Sequence, residues 1–137
     1  MVGVDTNVLV RHMVQDDEPQ AALARSLIEE RCSPSEPAHI ALVVLCELVW
    51  VLTSAYDYSR TQVSRALRQI LATDCFDVEQ RALAWAAIYD YETGTADYAD
   101  CIVARLNQTQ GSCTTYTFDK KAAGLTGFTL LTKENLQ

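Results

Sequence analysis

Glycine, proline and histidine are scarce in this chain, and each shortage excludes a class of site. The 137 residues include five Gly, three Pro and two His. The glycines do not cluster, so there is no glycine-rich phosphate loop. Two histidines, His12 and His39, are too few for a credible Ser-His-Asp set or structural zinc site. What remains is a chemistry based on carboxylates.

Long apolar runs are also lacking. No stretch approaches the roughly 20 apolar residues that a membrane-spanning helix needs. The first residues lack the basic and apolar blocks of a secretory signal. The five cysteines are odd in number and widely separated, which is typical of free core thiols in a reducing compartment. We therefore expect a soluble, cytoplasmic protein with no membrane partner.

The charge balance is acidic. The formal net charge is -7, from 11 Lys and Arg against 18 Asp and Glu. Broad electrostatic binding of nucleic acid normally rests on clustered basic residues, so this class is disfavoured. Carboxylates that bind a divalent cation add to the formal negative charge of the chain. Once the metal is bound, however, their neighbourhood can attract a phosphate. The acidity therefore leaves a metal-dependent nuclease open.

Apolar periodicity predicts one domain, residues 1–137, in which strands alternate with helices. Predicted strands cover 1–5, 39–42, 75–78, 112–118 and 128–131, and predicted helices cover 8–14, 18–32, a segment through about 55, 60–73, 80–91 and about 97–107. This alternation indicates an α/β fold with a parallel or mostly parallel sheet covered on both faces. In such folds the ligand site lies beyond the carboxyl ends of the strands.

Two aspartates follow predicted strands. Asp5 ends the first strand and Asp119 ends the strand predicted over 112–118. Both are therefore expected at the carboxyl edge of the sheet, where a ligand would bind. An N-cap role before the next helical turn explains each of them equally well.

Glu47 stands in an aliphatic segment, among Val43, Val44, Leu45, Leu48 and Val49. Burying an ionised carboxylate without a partner costs several kcal/mol. We therefore expect Glu47 to meet a cation or to hold a proton. An ion pair with Arg11 or another Arg is the structural alternative.

A further acidic pair precedes a buried-looking segment. Asp100 comes directly before the apolar run 101–104, and Asp97 lies one helical turn earlier on nearly the same face. One of the two could coordinate a metal while the other caps the helix. Asp100 is the preferred ligand, and Asp97 is the alternative.

Four segments resemble, in order and spacing, the PIN-domain nucleases, and most closely the VapC-type toxins of bacterial toxin-antitoxin pairs. The segments are VDTNVL at 4–9, LCELVWVL at 45–52, ADYADCIVA at 96–104 and YTFD at 116–119. Each is a loose pattern, but four in this order within one short chain are specific. Tyr98 and Cys101 stand where Phe and Ala are common in the family.

The resemblance implies a three-layer α/β/α sandwich with a short parallel sheet, a homodimer, dependence on Mg2+ or Mn2+, cleavage of RNA, and a cognate antitoxin protein. Asp5, Glu47, Asp100 and Asp119 match the acidic quartet of the family. Thr6 and Asn7 match the polar pair that supports the first Asp, and Asp97 matches an acidic position beside the third carboxylate.

Oxygen ligands suit Mg2+ or Mn2+, and the predicted reaction is attack of metal-activated water on an RNA phosphodiester. Asp5 and Asp100 are the expected direct ligands, and Glu47 is a ligand or a water-orienting base. Asp119 is an outer-shell or second-metal residue. Arg11 and Lys120 are candidates for contacts with RNA phosphates, although solvated surface or contacts with a protein partner explain them equally well.

Two other functions remain open. A PIN-like module without catalysis would bind RNA or a protein only. An aspartyl phosphotransferase of the haloacid-dehalogenase type also begins with Asp at a strand end, but it needs a second Asp where this chain has Asn7. The sequence does not name the RNA target.

Overall fold

The structure is a computed structural model and describes residues 1–136. Within these residues the chain forms five short strands, seven α-helices and a final 3-10 turn. In chain order they are β1 (Val2–Gly3), α1 (Thr6–Val14), α2 (Glu18–Arg31), β2 (Ala38–Ile40), α3 (Leu42–Tyr56), α4 (Arg60–Leu71), β3 (Phe76–Val78), α5 (Arg81–Thr93), α6 (Tyr98–Thr109), β4 (Thr115–Thr117), α7 (Lys120–Ala123), β5 (Phe128–Leu130) and the 3-10 turn Glu134–Leu136. The mixed α/β class predicted above is confirmed.

The chain divides into two compact units, Met1–Arg81 and the segment that begins at Ala82. The first unit contains a three-stranded sheet in the order β1-β2-β3, and both pairings are parallel. The second unit contains a two-stranded parallel sheet formed by β4 and β5. The prediction of parallel pairing is confirmed, although the strands are grouped as three and two. The single domain over 1–137 stays a prediction.

The sheet of the first unit has one buried face. Ala38 and Ile40 of β2 lie beside Phe76 and Val78 of β3, and all four side chains are buried. Between them, on the opposite face, His39 Nδ1 lies 3.0 Å from Asp77 Oδ2 in a half-exposed pair. This alternation follows from the two-residue repeat of a strand, which turns successive side chains to opposite faces.

Helices α1 and α3 follow β1 and β2 directly, so both helices begin at the carboxyl edge of the sheet. Helix α1 packs against α2 and α3, and α3 packs against α4. The centre of this packing is a set of leucines with no exposed surface, Leu9, Leu45, Leu48, Leu52 and Leu67. Each buried leucine contributes about 1.5–3 kcal/mol, and together they hold the starts of α1 and α3 in place.

In the second unit a buried tyrosine joins α5 to α6. Tyr98 has no exposed surface, and its hydroxyl donates a hydrogen bond of 3.0 Å to the carbonyl oxygen of Ala84. Its ring meets the edge of Tyr91 at a centroid distance of 6.1 Å. Farther along the same helices, Arg105 donates two hydrogen bonds, of 2.7 and 2.9 Å, to the carboxylate of Asp90. These contacts fix the first turn of α6, where Asp100 lies.

Several strands are shorter than their sequence pattern indicates. The strand predicted over 1–5 covers only Val2–Gly3, and the strand predicted over 112–118 covers only Thr115–Thr117. Gly111 has a φ of 88°, and the backbone reaches β4 only after this left-handed turn.

Among residues 1–136, no helix is long and apolar enough to cross a bilayer.

The amino end of α3 is capped from a distant part of the chain. Ala41 occupies the N-cap position and supplies no side-chain hydrogen bond. Glu79, directly after β3, takes over this role: its Oε1 accepts a hydrogen bond of 2.9 Å from the backbone N–H of Leu42. The N–H of Glu79 also donates to the carbonyl oxygen of Ile40 at 2.9 Å. Glu79 thereby ties β2, β3 and α3 together.

We expect Glu79→Ala to lower the free energy of unfolding by about 1 kcal/mol, because the N–H of Leu42 loses its acceptor at a helix start. Glu79→Gln should cost less, since its amide oxygen can still accept. Urea unfolding of the purified protein measures both. Glu30→Ala, which removes an exposed carboxylate from α2, is the control. An equal loss in Glu30→Ala would contradict the assignment.

Candidate acidic site

Asp5 lies directly after β1 and acts as the N-cap of α1, with extended backbone angles. Its Oδ1 accepts a hydrogen bond of 2.7 Å from the N–H of Thr6. No other described residue bonds its side chain, so Oδ2 of this exposed carboxylate is available to a ligand. The two interpretations made from the sequence are thus compatible, because one oxygen caps the helix while the other stays open.

The support of Asp5 comes from backbone rather than from the side chains of the polar pair. Thr6 contributes its N–H, whereas its Oγ1 is buried and has no hydrogen-bond partner among the described residues. Asn7 is exposed, and its side chain bonds no described residue. Of the polar pair, Thr6 thus bonds Asp5 through its N–H, and a supporting role of Asn7 stays a prediction. Most buried hydroxyls in proteins bond a protein group or an ordered water, so Oγ1 of Thr6 is available to a water or to a ligand beside Asp5.

Glu47 is exposed, which contradicts the expectation that aliphatic neighbours bury it. It lies in the second turn of α3, on a stripe that also includes Val43 and Trp50, whose exposed fractions are 63% and 70%. The other face of α3 packs into the core of the unit. The apolar residues on either side of Glu47 in the sequence therefore lie partly on the buried face and partly on the exposed face. The cost of burying a charge therefore carries no argument for a cation at Glu47.

Arg11 does not pair with Glu47. Its guanidinium donates to Gln20 Oε1 at 2.6 Å, to Asp16 Oδ1 at 3.0 Å and to the hydroxyl of Tyr56 at 3.4 Å. The structural alternative proposed for Glu47 is therefore wrong for this arginine. Arg11 is also largely engaged by Asp16, and its contact with RNA phosphates stays a prediction.

Three carboxylates of the second unit influence one another. Asp97 is the N-cap of α6 and makes no side-chain capping bond, and Asp100 lies in the first turn of that helix. Partial burial raises the pKa of Asp100, and the negative charges of Asp97 and Asp119 raise it further, while the backbone N–H of Asp97 lowers it. Like charges raise a carboxyl pKa only when they are close. Asp97 and Asp119 thus lie close enough to Asp100 for their charges to act on it.

Asp119 follows β4 and caps α7. Its Oδ1 accepts hydrogen bonds from the N–H groups of Lys121 and Ala122, at 2.8 and 3.4 Å. Its Oδ2 bonds no described residue, as at Asp5. Lys120 is exposed beside it. The two aspartates that follow strands therefore have the same arrangement, a helix cap with one open oxygen.

One carboxylate was missed by sequence reasoning. Glu79 follows β3 as Asp5 follows β1, and both lie at the carboxyl edge of the same parallel sheet. The signal was available, because an acidic residue directly after a buried strand is the pattern that selected Asp5 and Asp119. The capping bond to Leu42 makes Glu79 a positioning residue for α3, the helix that carries Glu47.

The donor set suits a hard divalent cation. Carboxylate oxygens are the ligands that Mg2+ and Mn2+ prefer. Asp5 of the first unit and Asp119 of the second unit each have a carboxylate oxygen without a partner among the described residues. Among residues 1–136, however, no group of three or more His, Cys, Asp or Glu stands in an arrangement that could hold a metal ion.

A protein-family model described as PIN domain matches residues 2–126. The chain belongs to the PIN domain family. The match covers most of both units and includes all four residues of the predicted quartet, Asp5, Glu47, Asp100 and Asp119. No curated protein matches the chain. PIN domains are generally nucleases that use divalent metals, so the resemblance noted in the sequence is confirmed at the level of the family.

The raised pKa of Asp100 predicts how the stability of this PIN domain depends on pH. The folded protein holds the Asp100 proton more tightly than the unfolded chain, so the free energy of unfolding should fall as the pH rises through the folded-state pKa. Asp100→Asn removes this loss. The variant should be more stable than the wild type at pH 7 and equal to it below about pH 3.9.

Thermal unfolding over this pH range measures the effect, with Asp74→Asn as a control that removes an exposed carboxylate elsewhere. If Asp100→Asn is less stable than the wild type at pH 7, the prediction is wrong, because the surroundings then stabilise the ionised carboxylate of Asp100.

Proposed function

We propose that this PIN domain is an endoribonuclease that depends on Mg2+ or Mn2+ and hydrolyses RNA phosphodiester bonds. Cleavage depends on Asp5 and Glu47 of the first unit and on Asp100 and Asp119 of the second. One observation carries the proposal: the family model described as PIN domain matches residues 2–126 and spans all four acidic residues. Partial burial, together with the charges of Asp97 and Asp119, also raises the pKa of Asp100, so a cation bound there would stabilise its ionised form.

Each acidic residue has a role that follows from its surroundings. Thr6 holds Asp5 through its N–H and leaves Oδ2 for a cation. Asp100 is the second expected ligand, with Asp97 as the alternative. Glu47, exposed and held on α3, orients water or binds the cation, and Asp119 acts in the outer shell or at a second metal. A divalent cation, when bound, neutralises charge on the phosphate and lowers the pKa of water.

The finer assignment is a toxin of a bacterial toxin-antitoxin pair, which acts in the cytoplasm as a homodimer and is held inactive by a cognate antitoxin. The VapC-like spacing of the four segments supports it. Arg11 and Lys120 are the proposed contacts with RNA phosphates. Of the two, Lys120 has the freer charge, because Asp16 lies 3.0 Å from the guanidinium of Arg11.

Purified, partner-free protein should cleave RNA with added Mg2+ or Mn2+ and should be inactive in chelator. Asp5→Asn and Asp100→Asn should each lower the rate about 100-fold or more, because charge stabilisation of the transition state by a metal contributes several kcal/mol. Gel analysis of labelled RNA measures the rate. Circular dichroism checks that the variants fold.

Asp74→Asn is the matched control and should cleave like the wild type. Undiminished cleavage by both Asp5→Asn and Asp100→Asn would falsify the assignment of the site. Cleavage in chelator would point instead to a contaminating nuclease or a metal-independent reaction.

One observation favours a second candidate, a PIN module that binds RNA or a protein without cleaving RNA. No metal-binding group of three side chains is assembled within residues 1–136. If this candidate is correct, the wild type binds RNA but does not cleave it with either metal, and Asp5→Asn binds RNA as the wild type does.

The toxin role predicts that expression of the wild type in a bacterial host stops growth, whereas Asp5→Asn expressed to the same level does not. Co-expression of the proposed cognate antitoxin should restore growth. Immunoblots confirm equal expression. If the host grows normally while it expresses wild-type protein that cleaves RNA, the toxin role is rejected and the nuclease assignment stands.

A further inference from the structure

A second concave site lies in the first unit, and the acidic residues play no part in it. It is a cavity of about 460 Å3 between the carboxyl end of α1 and one face of α4, here named the α1-α4 cavity. Its lining consists of His12, Met13, Gln15, Tyr58, Gln62, Arg65, Ala66 and Gln69. Its volume falls within the roughly 300–1,000 Å3 of small-molecule sites.

Helix α4 contributes a polar face to the cavity. Gln62, Arg65, Ala66 and Gln69 recur at the spacing of one helix face, while Val63 and Leu67 point into the core. Arg65 is exposed and bonds no described residue. An arginine whose donors are all available, on the wall of a concave site, is suited to a phosphate.

The end of α1 forms the opposite wall. Gln15 takes a left-handed backbone conformation with a φ of 59°, and its Nε2 donates to the carbonyl oxygen of His12 at 3.2 Å. The Nδ1 of His12 is buried without a hydrogen-bond partner among the described residues. Burial lowers the pKa of His12, and the charge of Arg25 lowers it further, so the ring is neutral at pH 7. The wall is therefore polar but uncharged.

Tyr58 supplies the aromatic surface. It follows Asp57, the left-handed residue that ends α3, and its backbone N–H donates to the carbonyl oxygen of Leu52 at 3.0 Å. This bond anchors the backbone of Tyr58 at the rim of the cavity. The ring is partly exposed, and its hydroxyl bonds no described residue. A partly exposed ring held in this way can stack on a nucleobase.

The cavity lies at the opposite end of α1 from Asp5, because His12, Met13 and Gln15 belong to the last turn and the C-cap of the helix. His12 follows Asp5 by seven residues, which is about 10 Å of helical rise. A short stretch of single-stranded RNA spans such a distance. A strand with its scissile phosphate at Asp5 can therefore place a flanking nucleotide in the cavity.

We propose that the α1-α4 cavity binds one nucleotide of a single-stranded RNA, with Arg65 on a phosphate and Tyr58 stacked on a base. The proposal rests on the proposed function only in taking RNA as the ligand. In a chain of net charge -7, none of the described residues that line the cavity is Asp or Glu. The amide group of Gln69 and the Nε2 of Gln62 can bond the edge of a base, whereas Gln62 Oε1 accepts a hydrogen bond of 2.8 Å from the N–H of Ser59.

Fluorescence anisotropy of a labelled single-stranded RNA in EDTA tests the proposal without cleavage. Tyr58→Ala should weaken binding about ten-fold, because a stacked base is lost, and Tyr58→Phe should bind as the wild type does. Arg65→Gln should weaken binding and lower the slope of log K against log salt by about 0.7, which is the value for one phosphate of a single strand.

Arg31→Gln is the matched control, since it removes the same charge from an exposed position on α2 and should change neither quantity. Unchanged RNA binding by both Tyr58→Ala and Arg65→Gln overturns the proposal, and so does an equal loss in Arg31→Gln. Loss of binding to a protein partner with unchanged RNA binding assigns the cavity to that protein and overturns it as well.

This experiment separates the two proposals. If the wild type cleaves no RNA but Arg65→Gln and Tyr58→Ala weaken binding in EDTA, the cavity assignment holds and the nuclease assignment fails. If Asp5→Asn abolishes cleavage while both cavity variants bind RNA as the wild type does, the reverse is true.

Discussion

The parallel pairing of β1, β2 and β3 is the constraint on which the first unit depends. Parallel strands must be joined by crossovers, and here these are α1 with α2, and α3 with α4. Helices that follow adjacent parallel strands begin at the same edge. The fold therefore brings the start of α1, with Asp5, to the edge where Glu79 caps α3. A carboxylate that directly follows one of these strands therefore lies at this edge without any unusual backbone conformation.

Helix capping stabilises acidic residues in each of the two units. Asp5, Asp97 and Asp119 are all N-cap residues, and the partial positive charge of a helix start stabilises a carboxylate. In Asp5 and in Asp119, one carboxylate oxygen accepts the capping hydrogen bond, and the other oxygen stays open. Asp100 lies inside its helix, where partial burial and then the charges of Asp97 and Asp119 raise its pKa. The preference of Asp for helix starts is thus compatible with the proposed binding of a cation.

Periodicity predicted most of the elements, because the apolar face of each amphipathic helix also faces the core in the structure. The prediction for Glu47 failed for a related reason: α3 is apolar around most of its circumference, so neighbours in the sequence do not reveal which side the core takes. The position of Glu79 after a strand was visible in the sequence, but its role was not, because that role is a hydrogen bond to Leu42, which is distant in the chain. Contacts of this kind depend on the order of the strands in the sheet, and the helix and strand propensities of the residues do not encode that order.

The net charge of -7 limits how such a protein can hold RNA. Affinity from counterion release grows with the number of phosphates neutralised, and Arg11 already faces Asp16 while Arg105 is held by Asp90. The contacts proposed above are local: a cation at the open carboxylate oxygens, a phosphate at Arg65 and a base on Tyr58. The contact with Tyr58 favours an unpaired strand, because a base must leave its stack to reach an aromatic ring. Together the two proposals predict that this acidic PIN domain selects a short single-stranded segment by stacking and by the geometry of its acidic residues, and not by a broad electrostatic field.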